Sequence, residues 1–157
     1  MSDIPSFPER SLIVRRGAAR LCAQLAWSPL HEVPLPSGRR ADILALTQDS
    51  RFVCIEVKSG LRDFQTDSKW HEYREYCDAL YFAVDVDFPR EVLPEETGLI
   101  VVDSHAAEIL REPPVHALAP SRRRALLHRF ALLAAGRLAL LEDPEGMAAM
   151  RAALKVE

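Results

Sequence analysis

Three side chains in this sequence have the types and spacing to do chemistry together: Asp42, Glu56 and Lys58. Side chains along "RFVCIEVK" alternate between faces of a strand. Cys54, Glu56 and Lys58 therefore share one face, and Val53, Ile55 and Val57 share the other. Asp42 opens the preceding apolar run, "DILAL", and the polar loop "TQDS" joins the two runs. A short loop between two such runs reads as an antiparallel hairpin, which sets position 42 beside positions 55–57. Two carboxylates and an ammonium then converge. Mg²⁺ is a hard cation that takes carboxylate, carbonyl and water oxygens, so Asp42 and Glu56, with the Val57 carbonyl between them, are its candidate ligands; Mn²⁺ is the alternative ion. A metal so held lowers the pKa of coordinated water and stabilises charge on a phosphate oxygen, while the compact ammonium of Lys58 reaches a single point beside it. Taken alone, Glu56-x-Lys58 reads equally well as an acid and a base on the solvent face of an edge strand. Asp42 at the matching position decides against that.

The elements that must position these groups follow from periodicity. "PERSLIVRRGAARLCAQLAW" has helical spacing, with Pro8 suited to a first turn, and Arg15, Arg16 and Arg20 make one side of it basic. Strands are expected at Leu30–Leu35, Ala41–Thr47 and Arg51–Val57, the first at a sheet edge because of Pro34 and Pro36. Trp70, Tyr73, Cys77 and Leu80 recur at helical steps, which predicts an amphipathic helix in "LRDFQTDSKWHEYREYCDAL", with Thr66 or Asp67 as its N-cap. "LYFAVDV", "GLIVVD" and "AEILRE" read as further strands, and "SRRRALLHRFALLAAGRLALLED" and "PEGMAAMRAALKV" as helices. The expected fold is α/β: a mixed sheet flanked by helices, with extra C-terminal helices. Residues 1–157 form one domain in this reading, and residues 115–157 its helical extension.

"RRAD" followed by "EVK" resembles the acid, spacer and acid-x-lysine pattern of the PD-(D/E)xK nuclease superfamily, with Ala41 where its familiar proline stands. The fuller pattern "RRADILAL…IEVKSG…DFQTDSKWHEYREYCDALYFAV…GLIVVD…AEILREPP" is similar to the MmcB family of bacterial DNA-repair proteins. The resemblance implies a restriction-endonuclease-like core and a metal-dependent endonuclease acting on damaged or branched DNA. It also extends the site. Glu9 looks like the helical acid that completes the metal site in the Holliday-junction resolvase branch, with Glu32 as its competitor. Gln65 or Lys69 stands where a contact to the scissile phosphate is expected. Arg39, Arg40 and Arg62 border the carboxylates and are candidate phosphate contacts, which position a strand without reading its sequence. Resolvase relatives act as dimers, and the apolar helix from Ser121 offers an interface; other repair proteins are further candidate partners. A nuclease-fold module that binds DNA or a repair partner without cutting is the competing reading, and a structural domain with no nucleic-acid role is the third.

Composition narrows the rest. Hydrophobic residues make up 48% and charged ones 27% of 157 residues, the balance of a globular domain. A net charge of −3 argues against non-specific coating of nucleic acid and leaves a local basic surface open. No apolar run is long enough to span a membrane, no secretory signal is visible, and Cys22, Cys54 and Cys77 read as buried free thiols. A cytoplasmic protein is expected. His71 and His105 lack metal-ligand spacing with cysteine, and no glycine-rich phosphate loop or Ser-His-Asp set is present.

Overall fold

Alternating apolar residues in "RADILAL" and a wholly apolar-flanked "FVCIEV" build the centre of the molecule. In the computed structural model, which describes residues 6–66 and 69–155 without the side chains of Phe7, Gln65 and Thr66, these runs are strands β2 (Arg40–Leu46) and β3 (Phe52–Val57). With β1 (Ser28–Pro34), β4 (Ala79–Asp85), β5 (Gly98–Val102) and β6 (Ala107–Arg111) they form a six-stranded sheet in sequence order. β1, β2 and β3 are antiparallel neighbours, β3, β4 and β5 run parallel, and β6 returns antiparallel. This is the expected mixed sheet, and it is consistent with a restriction-endonuclease-like core. β1 is at the edge, as its prolines require.

Every residue of β3 is buried, because both faces of the sheet are covered. On one side lies helix α1 (Phe7–Gln24), whose Val14, Ala18, Leu21 and Cys22 pack on Ile43, Ile55, Tyr81, Ile100 and Val102. Each such aliphatic side chain withdrawn from water contributes about 1.5–3 kcal/mol. The helix sits close: a Cβ on Gly17 would fall 2.3 Å from Val102 Cγ1, so only glycine fits there. The other side is covered by the crossover that a parallel β3–β4 pair demands. There Phe64 and Trp70 meet Phe82 edge-on, with ring centroids 5.6 and 6.1 Å apart.

That crossover corrects the amphipathic helix expected within residues 61–80 with Thr66 or Asp67 as its cap. The chain forms a short helix α2 (Leu61–Thr66) and a separate 3-10 turn (Trp70–Tyr76). Trp70 and Tyr73 are buried, as an apolar stripe should be, but a step of three serves a 3-10 turn as well as an α-helix. The proposed cap Asp67 lies outside the described residues, as does the side chain of Thr66. All three cysteines are free and buried.

Two compact units divide the chain, Met1–Leu118 and Ala119–Glu157. The second consists of helices α3 (Pro120–Glu142) and α4 (Pro144–Leu154), joined at Asp143, whose carboxylate accepts the Gly146 N–H at 3.1 Å. Leu132, Leu138, Leu141, Met150 and Leu154 are exposed on it. Among the described residues no helix is long and apolar enough to cross a membrane.

Candidate active site

Register does what the hairpin reading requires. Ile43 pairs with Ile55, so Asp42 lies across from Glu56. The Asp42 N–H donates to Glu56 Oε1 at 3.1 Å, and the Val57 N–H donates to Asp42 Oδ2 at 2.8 Å. The Cys54 thiol, two residues back on the same face, donates to Glu56 Oε1 at 3.8 Å. A solvent-facing acid and base are ruled out: Glu56 is 3% exposed and Lys58 5%.

Setting a half-buried acid beside a buried one raises both pKa values. Desolvation lifts Asp42 above the usual carboxylate range against the pull of the Val57 N–H and of Lys58. Glu56 is pushed up to about 9, first by desolvation and then by the Asp42 charge. Without a cation, the pair holds a proton near neutrality. The Lys58 ammonium favours the charged form of both acids and is itself 3.8 Å from Asp63 Oδ1, an acid in the first turn of α2. Asp63 escaped the sequence reading; the signal for it was an acid opening the helix directly after "KSG".

Beside Asp42 opens a cavity of about 300 Å³ lined by Pro8, Ser11, Leu12, Arg15, Glu32, Asp42 and Val57. Glu32 sits in β1 across from Asp42, between the pairs His31–Ile43 and Val33–Ala41. Its backbone is left-handed, with φ of 49°, which is rare for a residue with a side chain and of the kind that costs about 1–3 kcal/mol. Its carboxylate meets Arg15 at 3.5 Å and Arg40 at 3.8 Å.

The other residues expected at the site divide. Glu9 is in the first turn of α1, where its Oε2 accepts from both N–H and Oγ of Ser6 at 2.7 Å; the Ser6 hydroxyl holds its pKa down. Ser6-x-x-Glu9 is a capping-box pattern legible in the sequence. Of the two competing acids, Glu32 and not Glu9 lines the cavity. Arg39 pairs with Glu72 at 2.9 Å, and Arg40 belongs to the Glu32 group. Arg62 and Lys69 are exposed on α2 and just before the 3-10 turn. Gln65 lies in α2, its side chain outside the described set.

Among the described residues no group of three His, Cys, Asp or Glu side chains is placed to hold an ion. Two adjacent carboxylates, of which Asp42 lines an open cavity, are compatible with Mg²⁺, because this ion keeps several waters and takes only one or two carboxylates.

The family of DNA repair proteins described as MmcB-like matches residues 4–145. The chain belongs to this family. A role in DNA repair is the coarse functional statement that membership carries. Among solved structures, a protein from Silicibacter pomeroyi, SPO1766, described as of unknown function, is similar to the chain at 41% identity and a TM-score of 0.83. The match covers 92% of this chain and 96% of that one. No curated protein matches the chain.

Proposed function

We propose that the chain is a metal-dependent endonuclease of DNA repair, hydrolysing phosphodiester bonds in damaged or branched DNA. One observation supports this reading: half-buried Asp42 and buried Glu56 are set side by side across the β2–β3 hairpin, with buried Lys58 next to them on the same strand face. Carboxylates that merely stabilise a fold are usually given donors enough to stay charged; here one acid raises the pKa of the other, an arrangement typical of functional sites. Asp42 and Glu56 would hold Mg²⁺ or Mn²⁺, aided by the Val57 backbone. The ion, when bound, supplies an activated water and neutralises charge on the phosphate. Lys58 orients the attacking water from its buried position, and Asp63 restrains the Lys58 ammonium. The half-exposed and exposed arginines 15, 39, 40 and 62 supply sequence-independent attraction for the DNA backbone.

The test is cleavage of duplex, nicked and branched DNA by the purified chain with Mg²⁺ or Mn²⁺. Cutting that disappears in Glu56→Ala and in Lys58→Ala is expected. Cutting that survives both changes overturns the assignment. Tight DNA binding with no turnover under any metal would instead favour the non-cutting module.

A further inference from the structure

We infer that Arg15 and Arg40 form a seat for a backbone phosphate next to the metal pair, and that Glu32 is its built-in occupant, displaced when nucleic acid arrives. This rests on the reading of a nucleic-acid substrate above and adds to it a self-blocking contact.

Four observations converge on the cluster. Arg15, Glu32 and Asp42 line one cavity, so an anion held by Arg15 lies next to the carboxylate proposed to bind the ion. Two guanidinium groups converge on a single carboxylate, at 3.5 and 3.8 Å, so Glu32 alone does not balance the two cations that hold it. The pairs are open to solvent, with side-chain exposures of 33% for Arg15, 50% for Glu32 and 65% for Arg40. Ion pairs of that exposure are weak and salt-screened, and a phosphate, which takes guanidinium groups bidentately, competes well for them. Lastly, Glu32 holds its place at the expense of a left-handed backbone. Strain of that kind marks a side chain aimed for a purpose.

The seat is also well fixed. Arg15 follows the fully buried Val14 and precedes Gly17, whose missing side chain brings α1 against Val102. Arg40 begins β2, two residues before Asp42. Neither basic group depends on a loop for its position.

Binding of a fluorescent DNA duplex, measured by anisotropy in EDTA across a salt series, tests this without cleavage. Removing the occupant should strengthen binding: Glu32→Gln is expected to bind DNA several-fold to tenfold more tightly at low salt, with a steeper salt dependence by up to about one phosphate contact per freed arginine. Arg15→Gln should weaken binding several-fold, and should weaken it more in the Glu32→Gln background than in the unaltered protein. Inorganic phosphate added to Glu32→Gln should compete with the duplex at lower concentration than in the unaltered protein. Unchanged or weaker binding in Glu32→Gln overturns the inference, as does loss of Mn²⁺ binding by calorimetry in that variant, which would make Glu32 an ion ligand. The two readings fail separately. Metal-dependent cutting without tighter binding in Glu32→Gln sinks only the occupant, whereas tighter binding in a protein that never cuts sinks only the nuclease.

Discussion

Strand β3 has a buried carboxylate at each end, and the two ends treat theirs in opposite ways. At the start, Asp78 is 2% exposed, and its oxygens accept the Phe52 N–H at 2.7 Å and the Leu118 N–H at 2.9 Å. Its own backbone doubles the bond to Phe52 and takes the His116 N–H at 2.8 Å. That acid staples β3 to the segment after β6. At the finish, Glu56 and Asp42 have each other, one backbone N–H apiece and a distant thiol. An acid with a donor for each oxygen is architecture; an acid set against an acid lacks that support, and the proposed function gives it a cation as partner. The contrast separates a buried charge that holds a fold from one that the fold has to carry.

Substitutions should pull the two ends apart. The largest effect is expected on turnover: Glu56→Ala or Lys58→Ala should lower metal-dependent DNA cleavage by about 10²–10⁴-fold, the range of a positioned proton-transfer or charge-stabilising group. Folding should survive, and a normal far-ultraviolet spectrum beside lost cleavage would sharpen the contrast. Asp78→Ala should do the reverse. It leaves two buried N–H groups without their acceptor, at roughly 1–3 kcal/mol each, and should appear as a clear drop in denaturation midpoint. Little change in that midpoint would break the distinction.

A smaller effect, of opposite sign, is expected at Glu56. Its folded pKa is raised to about 9 from a usual 4.5, so between those values the folded state binds more protons than the unfolded one. The group's contribution is present in full below about pH 4.5 and is lost as pH rises through about 9. Metal-free protein should therefore lose stability from mildly acid to alkaline pH, each tenfold preference for the proton being about 1.4 kcal/mol. Glu56→Gln should flatten that loss and raise the melting temperature at pH 8 in EDTA. Added Mg²⁺ should raise it in the unaltered protein alone. The smallest effect is expected at Asp63, which meets Lys58 at 3.8 Å from a half-exposed position. Asp63→Asn should reduce cleavage less than tenfold, because so long a pair with one half-exposed partner contributes about 1 kcal/mol or less.

That Asp42 and Glu56 meet was legible for a simple reason. A period of two and a four-residue loop fix a hairpin register, and register alone brings position 42 to position 56. The mixed sheet was legible from strands separated by helical patterns. The break in the crossover was not, since Trp70 and Tyr73 are spaced alike for either kind of helix. Glu32 posed the opposite difficulty. Its position in the sequence was enough to make it a candidate, but nothing in "LHEVP" announces a left-handed glutamate, because that conformation is imposed by neighbours in space. Glu9 was read as the helical acid of a metal site, and the bonds that Ser6 makes to it were not foreseen.

The bent backbone at Glu32 has another consequence. β1 is the outermost strand of the sheet, and a straight outermost strand offers its free N–H and C=O groups to any passing chain. A charged, twisted residue between Pro29 and Pro34 spoils that template. A valine at position 32 cannot comfortably hold the left-handed conformation, so it would flatten the strand and remove the charge together. Such a protein would be prone to stick to its own copies, edge to edge, in a way that tells nothing about its handling of DNA.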